Sequence, residues 1–183
     1  MPLYHTRITI TYAAAGINNP MRFKQWLLIT ESVPDDLNVR LKRFFSSNAP
    51  YEVLDACSID GTFQAGACWI GAEVIIRYLA AMGVKAELYA VWDRGQAFHD
   101  EDEFSPEPIQ QHVVVKVNDS YLDSDGVHTA AQMINKMVRY EGLQNPKLAP
   151  FNPKTAGEII TNKSAVNRIY KHLVQALGKP SAK

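Results

Sequence analysis

Cysteine is nearly absent from this chain: Cys57 and Cys68 are the only two in 183 residues. That excludes a scaffold held together by disulfides. Neither sign of charge is in excess, with 19 Lys and Arg against 19 Asp and Glu. The basic surplus that accompanies phosphate-backbone binding is missing, so no nucleic-acid partner is expected. There is no apolar run of roughly 18 residues and no basic-then-apolar leader, so no membrane partner is expected either. A reducing, cytoplasmic compartment suits such a chain. It also lacks repeats, low-complexity tracts and linkers. What is present is ordinary for a globular protein, at 46% hydrophobic and 21% charged. The length suits one domain spanning 1–183, able to bury its own core.

The charge is balanced in total but segregated along the chain. Residues 87–125 hold 10 acids and 2 bases, and residues 126–183 hold 9 bases and 2 acids. The simplest expectation is that the acidic middle and the basic tail face each other across the fold. The other is an acidic rim around a cleft, which would favour neutral or cationic substrates.

The patterning predicts a strand at 8–12 and helices at 21–32 and 36–45, making a helical N-terminal segment to about residue 60. Residues 53–62 read as a loop, with Asp60-Gly61 as turn punctuation. A helix over 68–82 is the strongest element, apolar almost all round, with Glu73 and Arg77 as its thin polar stripe. Gly83 ends it. Residues 85–92 predict a strand buried on both faces, and 93–110 an acidic loop around His99. Residues 111–117 alternate cleanly, and Asn118-Asp119 is turn chemistry leading to a return strand at Tyr121-Leu122. A helix at 130–140, an irregular crossing over 142–157 and a C-terminal helix at 164–177 complete the reading.

The pattern that carries chemistry is a Cys at a helix start, then a strand opening with His, then an Asp on its hairpin partner. A helix N-terminus presents free N–H groups and a positive dipole end, which stabilise the Cys68 thiolate. The same amides can hold an oxyanion formed when that thiolate attacks a carbonyl. His112 would exchange the thiol proton, and a carboxylate would fix its tautomer. With a two-residue loop at Asn118-Asp119, Val114 falls opposite Asp123 and His112 opposite Asp125, so both aspartates share the histidine's face. The geometry leans to Asp125, with Asp123 next. Cys57 has no such setting and reads as structural. Neither cysteine belongs to a CxxC pair, so no metal is expected.

Ala65-Gly66-Ala67-Cys68-Trp69 resembles the signature around the nucleophile of papain-like cysteine proteases, with Ala65 in place of the first Cys. Gln64 lies near that family's oxyanion-hole Gln, four rather than six residues before the nucleophile. The Gly66-x-Cys68 segment, the long helix, the His112–Val117 strand, Tyr121 and Asp125 are more similar to the transglutaminase-like branch of the same superfamily. The resemblance covers residues 64–126. It implies an α+β, papain-like fold, an antiparallel sheet packed on a central helix starting at Cys68. It also implies a thiol-dependent enzyme acting on an amide or acyl group: protease, deamidase or acyltransferase. Cys68, His112 and Asp125 or Asp123 would be catalytic. Gln64 and the Cys68 amide would hold the oxyanion, Trp69 would line the substrate site, and no cofactor would be needed. The substrate would be a protein, a peptide or a small amide. The competing expectation is a non-catalytic papain-like shell that acts by docking on a partner protein.

Overall fold

The computed structural model describes residues 35–93, 109–153 and 162–180. The strand expected at 8–12, the helix at 21–32 and the acidic run at 99–103 lie outside them. The described residues form, in chain order, α1 (Asp35–Phe45), α2 (Asn48–Ala56), α3 (Cys68–Ala81), β1 (Glu87–Asp93), β2 (Ile109–Val117), β3 (Ser120–Asp123), β4 (Gly126–Thr129), α4 (Ala130–Glu141), β5 (Lys147–Pro150) and α5 (Lys163–Leu177). The architecture is α+β. Among the described residues one sheet is formed, antiparallel throughout, in the order β4-β3-β2-β1-β5.

The period-2 alternation of β2 organises the packing, because successive side chains leave opposite faces of the sheet. Val113, Val115 and Val117 join the main core with α3, α1, α2 and α5. Val114 goes the other way, into a smaller cluster with Tyr121 of β3 and Met133 and Met137 of α4. Helix α3 lies against β2 and α5 and buries Ile70, Val74, Ile75 and Leu79 completely. Each such side chain contributes about 1.5–3 kcal/mol on leaving water. The expected Glu73–Arg77 pair forms at 2.7 Å, and Arg77 also donates to Asn167 of α5 at 2.7 Å, so the partly exposed polar stripe also ties α3 to a neighbouring helix. No helix among the described residues is long and apolar enough to cross a membrane.

Three expectations are corrected. The loop predicted from residue 53 begins four residues later, at 57, because α2 runs to Ala56 and buries Val53 and Leu54 in the core. Local turn chemistry there loses to burial of those two side chains. The irregular crossing at 142–157 contains β5, an edge strand on β1 whose Pro150 sits where no ladder amide is required. Strand β1 is buried on both faces only in its second half, at Ala90, Val91 and Asp93. Its first half is partly open, with Glu87 exposed.

Candidate functional site

The nucleophile candidate is set in place by a tight loop. Gly61 and Gly66 both take positive φ, +106° and +84°. A Cβ on Gly61 would sit 2.4 Å from the Ala65 carbonyl oxygen, so only glycine permits the chain to double back here. Thr62 closes the loop. Its amide donates to Ala65 O, its carbonyl accepts from Ala65 and Ala67, and its hydroxyl accepts from Gln64 and Ala65. Cys68 follows as the first residue of α3, 7% exposed.

The hairpin forms at the expected turn, with Asn118 in the left-handed region at φ 51°. Val117 pairs with Ser120, Lys116 with Tyr121 and Val115 with Leu122, and the β2–β3 ladder stops there. Strand β3 ends at Asp123, and Ser124-Asp125 turns the chain into β4, so that Asp123 pairs with Gly126. Two consequences follow. The register is the expected one, but the ladder stops before His112, so Asp125 never reaches the position opposite it, which corrects the pairing extrapolated from the sequence. The next ladder amide of β2, that of Val113, is left without a strand partner, and it donates to Cys68 Sγ at 3.4 Å.

The imidazole of His112 is fully buried, and its Nε2 lies 3.1 Å from Asp123 Oδ2. Its Nδ1 has no partner within hydrogen-bond geometry. The Cys68 thiol is nonetheless near enough for each group to shift the other. With Nε2 committed to Asp123, Nδ1 is the nitrogen left for the thiol, and the two are neighbours without a formed hydrogen bond. Asp123 is 3% exposed and its carboxylate is saturated. Oδ2 also meets Lys136 Nζ at 2.7 Å, and Oδ1 accepts from His128 Nε2 at 3.1 Å and from the Asp125 amide at 2.8 Å.

Each titration follows from this cage. Burial pushes the Cys68 thiol up. The proximity and charge of the His112 ring, with the amides of Val113 and Trp69, more than reverse that, and the thiol ends below its ordinary value. Burial pulls His112 down, yet the Asp123 carboxylate and then the Cys68 thiolate raise it to about 9. Asp123 loses solvation, but His112, His128 and Lys136 hold it well below the usual carboxylate range. Each of the three groups therefore shifts its neighbour toward the charged form.

The other candidates lie close by in different roles. Gln64 donates from Nε2 to Asp125 Oδ1 at 3.0 Å, so part of its amide is committed to a carboxylate. Asp125, half-exposed, is ion-paired through its other oxygen with Lys136. Trp69 is half-buried and packs on the main core. Cys57 is half-buried and accepts from Arg168 Nη1 at 3.6 Å.

No family model, curated protein or solved structure matches the chain.

Lys136 and His128 were not singled out by sequence reasoning. Neither belongs to a local motif. His128 arrives because β4 pairs it with Tyr121, next to Asp123. The signal for Lys136 was only the charge segregation: a base from the basic tail neutralises two acids from the acidic middle.

Proposed function

We propose that this protein is a thiol-dependent enzyme acting on an amide or related acyl group, with a papain-like arrangement closest to the transglutaminase-like branch. Cys68 is the nucleophile, His112 the general base and acid, and Asp123 the orienting carboxylate. The observation that carries this reading is a fully buried His112 ring bonded to Asp123 at 3.1 Å, its other nitrogen left unbonded, beside a thiol that its charge holds below the ordinary pKa. A buried histidine charged by one neighbour and charging another is costly to build and has a clear catalytic use.

In the reaction, the Cys68 thiolate attacks the carbonyl carbon and its electron pair forms the C–S bond. The carbonyl oxygen becomes an oxyanion within reach of the free amides at the start of α3. The tetrahedral species collapses to a thioester as His112 passes its proton to the departing amine. His112 then takes a proton from the incoming water or amine, which attacks the thioester and releases the thiolate. Asp123 keeps the imidazole in one tautomer and stabilises its cation throughout. The substrate is a protein, a peptide or a small amide, and no cofactor takes part in these steps.

The 7% exposure of Cys68 favours one other reading, a silent thiol inside a shell that docks on a partner. Alkylation by iodoacetamide separates the two. In Cys57→Ser, the remaining thiol should react quickly at pH 7 and keep reacting at pH values where a free thiol, with pKa about 8.5, has become inert. Slow alkylation with an ordinary thiol profile refutes the enzyme.

A further inference from the structure

Asp123 Oδ2 is contested by two cations. His112 Nε2 lies 3.1 Å away and Lys136 Nζ 2.7 Å away. Lys136 is itself held from the other side by Asp125, whose second oxygen accepts from Gln64. A single polar chain therefore leaves the loop before the nucleophile at Gln64, passes Asp125, Lys136 and Asp123, and ends at His112, whose charge bears on Cys68. Its links come from the loop 61–67, the β3–β4 turn, α4, β3 and β2. The ammonium is 13% exposed on its side chain, too buried to behave as a passing surface pair.

We propose that Lys136, anchored by Asp125, is a positioning residue that fixes the Asp123 carboxylate against His112 and so sustains the reactive thiolate. The proposal rests on the triad reading above and adds a regulator to it. The charged and titratable groups facing Asp123 are His112 from β2, His128 from β4, Lys136 from α4 and Asp125 from the turn. Among them only Lys136 carries a permanent positive charge. Removing it acts on Cys68 twice in the same direction. A nearby cation is lost, which raises the pKa of an acid. Asp123 also gains freedom to turn from His112, so the imidazolium that faces the thiol is less firmly held. Both effects move the thiol upward.

The test is the pH profile of Cys68 alkylation by iodoacetamide in Cys57→Ser, with Lys136→Met and Lys136→Arg added singly to that background. Near-UV circular dichroism confirms that each is folded. Lys136→Met should move the midpoint up by about half a unit or more, read as about threefold slower alkylation at pH 7. Lys136→Arg keeps the charge and donors and should restore the parent profile. If Lys136→Met does not fold, Lys136→Gln removes the charge while keeping a donor, and the same upward shift is expected. A shifted parent profile with superimposable Lys136→Met or Lys136→Gln profiles overturns the proposal and leaves the triad standing. An unshifted profile in the Cys57→Ser parent itself overturns the triad, and the proposal with it. A loss in Lys136→Met that Lys136→Arg does not recover assigns Lys136 a packing role and also overturns the proposal.

Discussion

Replacing Asp123 by Asn tests the heart of this site, because the substitution keeps the shape and removes only the charge and one acceptor. The carboxylate now takes four donors, two on each oxygen: His112 and Lys136 on Oδ2, His128 and the Asp125 amide on Oδ1. However an Asn amide is turned, its NH2 meets two of those donors, and Lys136 loses its buried counterion. Breaking a buried ion pair by removing one partner costs about 3–5 kcal/mol. The low end applies, since Lys136 can lean on Asp125 instead. A second route agrees. His112 rises from 6.5 to about 9, and at about 1.4 kcal/mol per unit that is a net gain of up to roughly 3 kcal/mol, to which Asp123 contributes with Cys68, so the direction is the same. Asp123→Asn should therefore lose about 3 kcal/mol in urea unfolding at pH 7. Asp125→Asn, at a half-exposed carboxylate, should lose about 1 kcal/mol or less. In alkylation, Asp123→Asn should bring Cys68 back toward an ordinary thiol. Equal stability losses for the two aspartates, or an Asp123→Asn protein as stable as the parent, would refute the cage.

The pH dependence has opposing parts. His112 is raised, so its stabilisation is complete below about 6.5 and is lost as pH rises through about 9. Cys68 is lowered, so its contribution is present above the ordinary thiol value and is lost as pH falls through its folded pKa. In Cys68→Ala the histidine acts alone, and stability followed by urea titration should fall more steeply above pH 6.5 than in the parent; parallel curves would count against the coupled pair. Gly66→Ala places a Cβ 3.1 Å from the Asp60 carbonyl oxygen at a φ of +84°. It should cost about 1–3 kcal/mol and slow Cys68 alkylation, as the loop before Cys68 shifts. Gly71→Ala, in the middle of α3, meets the Phe63 ring at 3.1 Å. Thermal melting should show destabilisation despite the roughly 1 kcal/mol that alanine normally gains in a helix; an increase in Tm would mean that Phe63 moves aside freely.

Local patterning alone carries a good part of this protein. A run of apolar side chains interrupted only by Glu73 and Arg77 cannot be other than a buried helix, and α3 begins at Cys68 as that pattern requires. Clean alternation before Asn118-Asp119 sets the hairpin and its first pairs, because turn geometry and side-chain period act within a few residues. Where β3 stops is a different kind of quantity. Extending the hairpin would pair the Val113 amide with β3, whereas stopping it delivers that amide to a thiol arriving from α3, 45 residues away in sequence. The exchange depends on α3 docking on the sheet, which no window around the hairpin contains. The choice of Asp123 over Asp125 follows from it, since a strand that ends at Asp123 keeps that carboxylate buried and sends the next one out to Gln64 and Lys136. Strand β5 and the end of α2 were decided in the same way, by a ladder edge on β1 and by core burial that outweigh weak local preferences. Local pattern was enough to pick out Cys68, His112 and the two aspartates and the elements that carry them. The tertiary structure decided which of them meet, because a buried charge is tolerated only where every neighbouring donor and counterion is brought to it at once.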